Sequence, residues 1–211
     1  MPLKVLNWSV GPSPVPISPL TSVCRPPLEL VIEMGRSLRS IVERECASYG
    51  IEVPALAIEP GRGIVGPGTV TVYEVGTVKQ VALDGGARRS YVSVDGGMSD
   101  NIRTALYDAD YSCTLASRSS GAEPVLGRVV GKHCEAGDIL VKDEFVPGDI
   151  TPGDLLAVPG TGAYCRSMAS NYNHALRPPV ISVRDGVARV VVRRETEADL
   201  LSTDVGLESE S

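Results

Sequence analysis

Apolar and polar positions along this chain change their spacing twice. Leu3–Asn7 is a short apolar run that predicts a strand. From Trp8 to Pro27 no period is visible. Pro12, Pro14, Pro16, Pro19, Pro26 and Pro27 remove backbone donors and fix φ, so residues 8–27 are expected to be irregular, extended coil. From Leu28 to Tyr49 the apolar residues Leu28, Val31, Ile32, Leu38, Ile41, Val42, Ala47 and Tyr49 recur roughly at helical spacing, with Glu and Arg between them. That predicts an amphipathic helix, and Gly50 is a natural stop. Ala55–Ile58 then reads as a short buried strand ending at Glu59. A strand, a helix and a strand in that order suggest one βα unit and the start of another.

After Gly68 the period is that of strands. Thr69–Val78, Tyr91–Val94, Leu126–Val130, Ile139–Val141, Leu155–Val158, Val180–Val183 and Ala188–Arg193 are rich in β-branched residues, and Gly, Asp and Pro punctuate the gaps. Many short strands with Gly-rich turns predict a mainly β fold, a barrel or a sandwich. Glu195–Leu201 reads as a short capped helix, and the polar residues 206–211 as a frayed tail.

Composition narrows the function classes. Aromatic residues make up only 4% of the 211, so the core must be built from Val, Leu, Ile and Ala. A net charge of −6, with no basic run, argues against nucleic acid or an anionic membrane as partner. The apolar runs are too short to span a bilayer, and the N-terminus has no apolar signal core. The cysteines, Cys24, Cys46, Cys113, Cys134 and Cys165, are odd in number and form no CxxC pair, which fits a reducing cytoplasm. With two histidines a His-rich metal site is not expected, and no metal is assigned.

Four stretches hold candidate chemistry. Glu59-Pro60-Gly61-Arg62 reads either as a strand-end turn with a solvated Arg62 or as an anion site, where Gly61 admits close backbone approach and a guanidinium receives the charge. Asp95–Tyr107 contains a Gly-Gly turn followed by Arg103 and Tyr107, one helical turn apart. In His133-Cys134-Glu135-Ala136-Gly137-Asp138 a thiol is crowded by polar groups on a Gly-containing loop. A lone cysteine in a β-rich chain is more often a small buried apolar residue. Gly162-Ala163-Tyr164-Cys165 closes the set; packing is a fair reading of its tyrosine.

In this order the stretches from about Ile51 to Val205 resemble the C-terminal portion of the diaminopimelate decarboxylases, pyridoxal-phosphate enzymes of lysine biosynthesis, actinobacterial members above all. The resemblance implies the C-terminal β-domain of an alanine-racemase-like enzyme at residues 60–205, preceded in 1–59 by a remnant of a truncated (β/α)8 barrel. It implies pyridoxal 5'-phosphate as cofactor, with Glu59 at the pyridine nitrogen, Gly61 and Arg62 at the phosphate, and Tyr164 in the cofactor region. Arg62 and Tyr164 also lie close to substrate in the family. Arg103 and Tyr107 would meet the distal carboxylate of the amino-acid substrate and Glu135 its distal ammonium group, while Cys134 would deliver the proton after CO2 loss. The family's active site forms between the subunits of a homodimer, with the Cys-Glu loop crossing to the partner.

Two departures accompany the resemblance. None of Lys4, Lys79, Lys132 and Lys142 sits in the family's lysine motif, so the chain is expected to be a fragment, inactive alone. Trp8 to about Arg25 replaces the family's Gly-rich phosphate loop, as a local frame shift would. Two rival readings remain at this point. One is a related decarboxylase for arginine, ornithine or a carboxylated polyamine. The other is a non-catalytic β-domain that binds or regulates.

Overall fold

The computed structural model describes residues 28–207. The predicted strand at 3–7, the proline-rich 8–27 and all but the start of the tail lie outside the described residues.

Helix α1, Leu28–Tyr49, forms where the period predicts it. Gly50 follows at φ +63, the left-handed conformation in which glycine carries no Cβ penalty. Ile32, Leu38 and Ile41 nevertheless stay exposed. The expected strand at Ala55–Ile58 does not form: residues 51–60 carry no ladder, and Leu56 and Ile58 face solvent. A strand exists only when a neighbour takes its backbone hydrogen bonds, and no described segment lies alongside this one.

A short helix α2, Gly61–Val65, and a 3-10 turn at Gly66–Gly68 lead into the β-fold. Strands β1 (Val70–Ala82), β2 (Arg88–Val94), β3 (Thr114–Leu115), β4 (Pro124–Val130), β5 (Ile139–Pro147) and β6 (Leu155–Pro159) form one sheet in the order β3-β6-β1-β2-β4-β5. Neighbours are antiparallel except β2 and β4, which run parallel. The two edges, β3 and β5, come within 8 Å of each other between Cα atoms, so the sheet curls into a partly closed barrel.

The long strand β1 makes that curl. Its first half, Val70–Glu74, pairs with β6, and the rest pairs with β2, with a register break between Val75 and Val78. At the break the Ser93 hydroxyl receives the Thr77 N–H (2.8 Å) and donates to the Thr77 carbonyl (3.0 Å). One side chain thus replaces the lost ladder bonds and lets the strand bend from one set of partners to the other. Inside the curl lie Tyr73, Val75, Val92, Val94, Val129, Leu140, Val141, Val146, Leu156 and Val158. Apart from Tyr73 these are aliphatic, as the aromatic-poor composition requires.

Every strand predicted after Gly68 is present; β1 runs four residues and β5 six residues past the expected ends, and the two-residue β3 was not foreseen. Strands β7 (Val180–Arg184) and β8 (Val187–Val192) pair only with each other. Between β2 and β3 lies helix α3, Arg103–Tyr107. The last helix, α4, is Glu197–Leu201, where the Thr196 N–H donates to the Asp199 carboxylate (2.7 Å). No helix among the described residues is long and apolar enough to cross a membrane.

Candidate functional site

The end of α2 and the segment after β6 are pressed together, and this contact builds one wall of a cavity. The Gly162 N–H donates to the Gly66 carbonyl (3.0 Å). A Cβ on Gly162 would lie 1.9 Å from the Val65 carbonyl oxygen, so only glycine permits the approach. Two residues on, Tyr164 has φ +62. A bulky residue in the left-handed region is uncommon and persists only where the surroundings impose it, as they often do at functional sites.

The opposite wall is α3. It starts just after the turn 95–101 and ends on Asp108 in the left-handed conformation. The Arg103 guanidinium carbon lies 5.7 Å from the Tyr107 ring centre and 5.4 Å from that of Tyr164. Aromatic faces hold a cation in place without neutralising it. Between the walls is an open cavity of about 610 Å³, lined among others by Arg62, Arg103, Tyr107, Tyr111, Pro159 and Ala163. Asp110 also lines it and pairs with Lys142 (3.6 Å). Among the described residues neither Arg62 nor Arg103 has a carboxylate in ion-pair contact, so the cavity presents two free cations.

Behind Arg103 runs a buried polar chain. The Asn101 side-chain oxygen accepts the Arg103 N–H (3.3 Å) and the Cys165 thiol (3.5 Å), and Cys165 lies 3.6 Å from the Tyr111 hydroxyl. Burial raises the Cys165 thiol above its ordinary range and pushes the Tyr111 phenol up to about 12. Both stay protonated at neutral pH, and with the Cys165 proton given to Asn101 the Tyr111 hydroxyl is the donor to the Cys165 sulfur. Among the described residues the buried Asn101 amide nitrogen has no partner.

Cys134 and Glu135 sit elsewhere, on the turn between β4 and β5. Cys134 is the exposed thiol among the described cysteines; Cys46, Cys113 and Cys165 are buried. Glu135 accepts the Tyr172 hydroxyl in a short hydrogen bond, and this carboxylate raises the Tyr172 phenol above its ordinary range. The His133 ring meets Tyr172 edge-on, centres 5.2 Å apart. The Asn173 amide nitrogen is 4.0 Å from the Cys134 sulfur. Asn173 and His174 both hold positive φ, +51 and +56. Two consecutive left-handed residues are costly, and here they place Tyr172 and Asn173 against Glu135 and Cys134.

The eight residues singled out in the sequence therefore fall into three groups. Arg62, Arg103 and Tyr107 line one cavity, and Tyr164 joins them through its ring against the Arg103 guanidinium. Cys134 and Glu135 form a second, exposed cluster and do not line it. Glu59 and Gly61 flank Arg62 in the chain but stand open to solvent; a Cβ on Gly61 would meet nothing within 4 Å. Sequence reading missed Tyr111 and Asn101, took Asp138 only as a polar group beside Cys134, and gave Tyr172 and Asn173 no role. Tyr111 follows Tyr107 at helical spacing, a usable signal. Asn101 and Asp138 carried none, since their partners are remote in the chain.

Comparison with known proteins places the β-fold. Residues 67–162 match the family described as pyridoxal-dependent decarboxylase, C-terminal sheet domain. The chain is 57% identical over 189 residues to the diaminopimelate decarboxylase of Mycobacterium tuberculosis, covering 90% of this chain and 42% of that protein. It is 55% identical over 175 residues to that of Mycobacterium leprae, covering 83% and 37%. Among solved structures it is similar to diaminopimelate decarboxylase from M. jannaschii in co-complex with L-lysine, with a TM-score of 0.63 and 30% identity, covering 74% of this chain and 34% of that one. The chain thus spans less than half the length of the curated relatives it matches.

Proposed function

We propose that this chain, whose sheet domain belongs to the pyridoxal-dependent decarboxylase family, is the C-terminal portion of a cytoplasmic diaminopimelate decarboxylase, which converts meso-diaminopimelate to L-lysine and CO2. On this reading residues 1–59 are the remnant of a (β/α)8 barrel. Residues 60–205 are the β-domain and 206–211 a tail.

The observation that carries the proposal is the pairing of Arg62 with Arg103 in one cavity, both free of carboxylate partners among the described residues. Two unneutralised guanidiniums, with tyrosine rings against Arg103, fit two separate anionic groups. The cofactor phosphate and the substrate's distal carboxylate are such a pair. The donor set therefore fits one end of pyridoxal phosphate: Arg62 with Gly61 would hold the phosphate, and Tyr164 would lie against the cofactor region. Glu59 would keep the pyridine nitrogen protonated. Bound there, the cofactor supplies an electron sink for the pair left behind as CO2 departs.

Arg103, held between the Tyr107 and Tyr164 rings, binds the distal carboxylate. Glu135, oriented by Tyr172, accepts the distal ammonium group. Cys134 delivers a proton to the substrate carbon that has lost CO2, a role suited to an exposed thiol. Because Cys134 and Glu135 lie outside the cavity of their own chain, the reading assigns them to the cavity of a second copy, in a homodimer. The small-molecule amino-acid ligand agrees with the lysine-bound relatives.

The test joins this chain to a diaminopimelate decarboxylase barrel and follows CO2 release. Arg103→Ala should lower kcat/KM for meso-diaminopimelate by at least about tenfold, since an ionic partner left unpaired costs more than roughly 1.4 kcal/mol. Activity on lysine or ornithine, which lack the second carboxylate, should fall much less. Equal losses on both substrate types would remove Arg103 as reader of the distal end. The isolated chain should release no CO2; turnover by the pure chain would overturn its reading as a portion.

A further inference from the structure

One buried carboxylate is used by nothing above. Asp138, at the base of the Cys134 turn, is 2% exposed. One of its oxygens accepts the Met98 N–H (2.6 Å) and the other the His133 N–H (2.7 Å). Met98 belongs to the turn that leads to Arg103, and His133 directly precedes Cys134. The two segments are 35 residues apart in the chain and touch through this side chain.

The surroundings are shaped around it. A Cβ on Gly131 would lie 2.2 Å from the Asp138 carboxylate and one on Gly97 2.8 Å. Glycine on both sides lets the two backbones close on the carboxylate. A second tie runs alongside: the His133 ring nitrogen bonds the Ser99 hydroxyl (2.8 Å), and the Lys132 N–H donates to the Gly96 carbonyl (3.0 Å). From Ser99 two residues lead to Asn101, whose side chain receives the Arg103 N–H.

We propose that Asp138 is a positioning residue that couples the Arg103 turn to the Cys134–Glu135 turn, so that both ends of a bound diamino acid are read by one rigid unit. This rests on the substrate reading given above. A charge-assisted bond to each strand of the joint is stronger than a neutral one, and a carboxylate can bridge two N–H donors where an amide oxygen with its NH2 cannot. In Asp138→Asn one of the two backbone donors must lose its acceptor, and the two turns separate mechanically. The side chain touches neither cavity nor thiol, so its effect is wholly through the joint.

The experiment uses the intact 211-residue chain and needs no activity. In the unaltered chain the Met98 and His133 amides should exchange with solvent at matched rates, as one opening unit. In Asp138→Asn both should exchange about tenfold faster or more, the decade expected for losing a charged hydrogen bond. Alkylation of Cys134, followed by mass spectrometry of its peptide, should change in step. Val146→Ala, a core truncation, serves as control: it lowers the melting temperature without touching the joint and should leave both readouts unchanged at a temperature where it is folded. Ser99→Ala, which removes the His133 bond of the parallel tie, should move them in the same direction and less.

Unequal protection of Met98 and His133 in the unaltered chain would overturn the coupling, even if no Asp138 variant folds. So would an Asp138→Asn effect confined to residues 131–137, or one matched by Val146→Ala. Failure of the substrate reading would appear instead in the joined enzyme's preference between diaminopimelate and lysine, with these exchange rates intact.

Discussion

Adding a single methyl at Gly162 should lift the helix that carries Arg62. The built position of an alanine Cβ there is 1.9 Å from the Val65 carbonyl oxygen, 2.8 Å from its carbon and 2.9 Å from the Thr69 hydroxyl. Ordinary contact begins near 3.4 Å, so the backbone must give by more than 1 Å against the Val65 peptide group, which has no rotamer to change. Overpacking of this kind costs roughly 1–3 kcal/mol. The Gly162 N–H to Gly66 carbonyl bond, 3.0 Å long, would be stretched or lost for roughly another 1 kcal/mol. A total near 2–4 kcal/mol corresponds to a melting temperature lower by roughly 5–15 °C for a chain of this size. Gly121→Ala is the control, because nothing lies within 4 Å of its Cβ and its φ is ordinary; it should melt within about 2 °C of the unaltered chain. In the joined enzyme Gly162→Ala should also weaken cofactor binding, as Arg62 moves with α2. A Gly162→Ala chain that melts with the unaltered one would mean that α2 does not rest on this segment, and the cavity wall would lose its basis.

Three further outcomes follow from the geometry. Burial raises the Asp100 carboxyl to about 6, above its unfolded value, so the folded state holds the proton more tightly and Asp100 favours folding below about pH 4 and less so as pH rises through 6. Asp100→Asn keeps an acceptor for the Gly97 N–H and lacks the charge; the melting-temperature gap between variant and unaltered chain should grow in the variant's favour from pH 4 to 7, and a gap that does not change with pH would refute it. Tyr172→Phe in the joined enzyme should raise KM for diaminopimelate severalfold with a smaller change in kcat, because Glu135 loses the hydroxyl that orients it. Cys134→Ala should leave cofactor absorbance in place and lower turnover by on the order of 10²–10⁴; a core role would instead show as lost thermal stability with activity per folded molecule kept.

The spacing of apolar residues was enough to predict α1 and the strands after Gly68, because amphipathic period and turn chemistry are local properties of the chain. The roles expected of Arg62, Arg103, Tyr107, Cys134, Glu135 and Tyr164 came from the family resemblance of the stretches that hold them, and not from their spacing. Three things were not local. Ala55–Ile58 has the composition of a buried strand, yet a strand is a relation between two segments, and none of the described residues pairs with it. The division of the candidate residues between a cavity and a separate loop is set by contacts between segments remote in the chain, such as Gly162 against Gly66 and Glu135 against Tyr172. Asp138 reads in the sequence only as one of the polar groups crowding the Cys134 thiol. Only when the chain brings residue 98 against residue 133 does its carboxylate find two backbone donors, and burial there turns a commonplace aspartate into the joint between the two halves of the site.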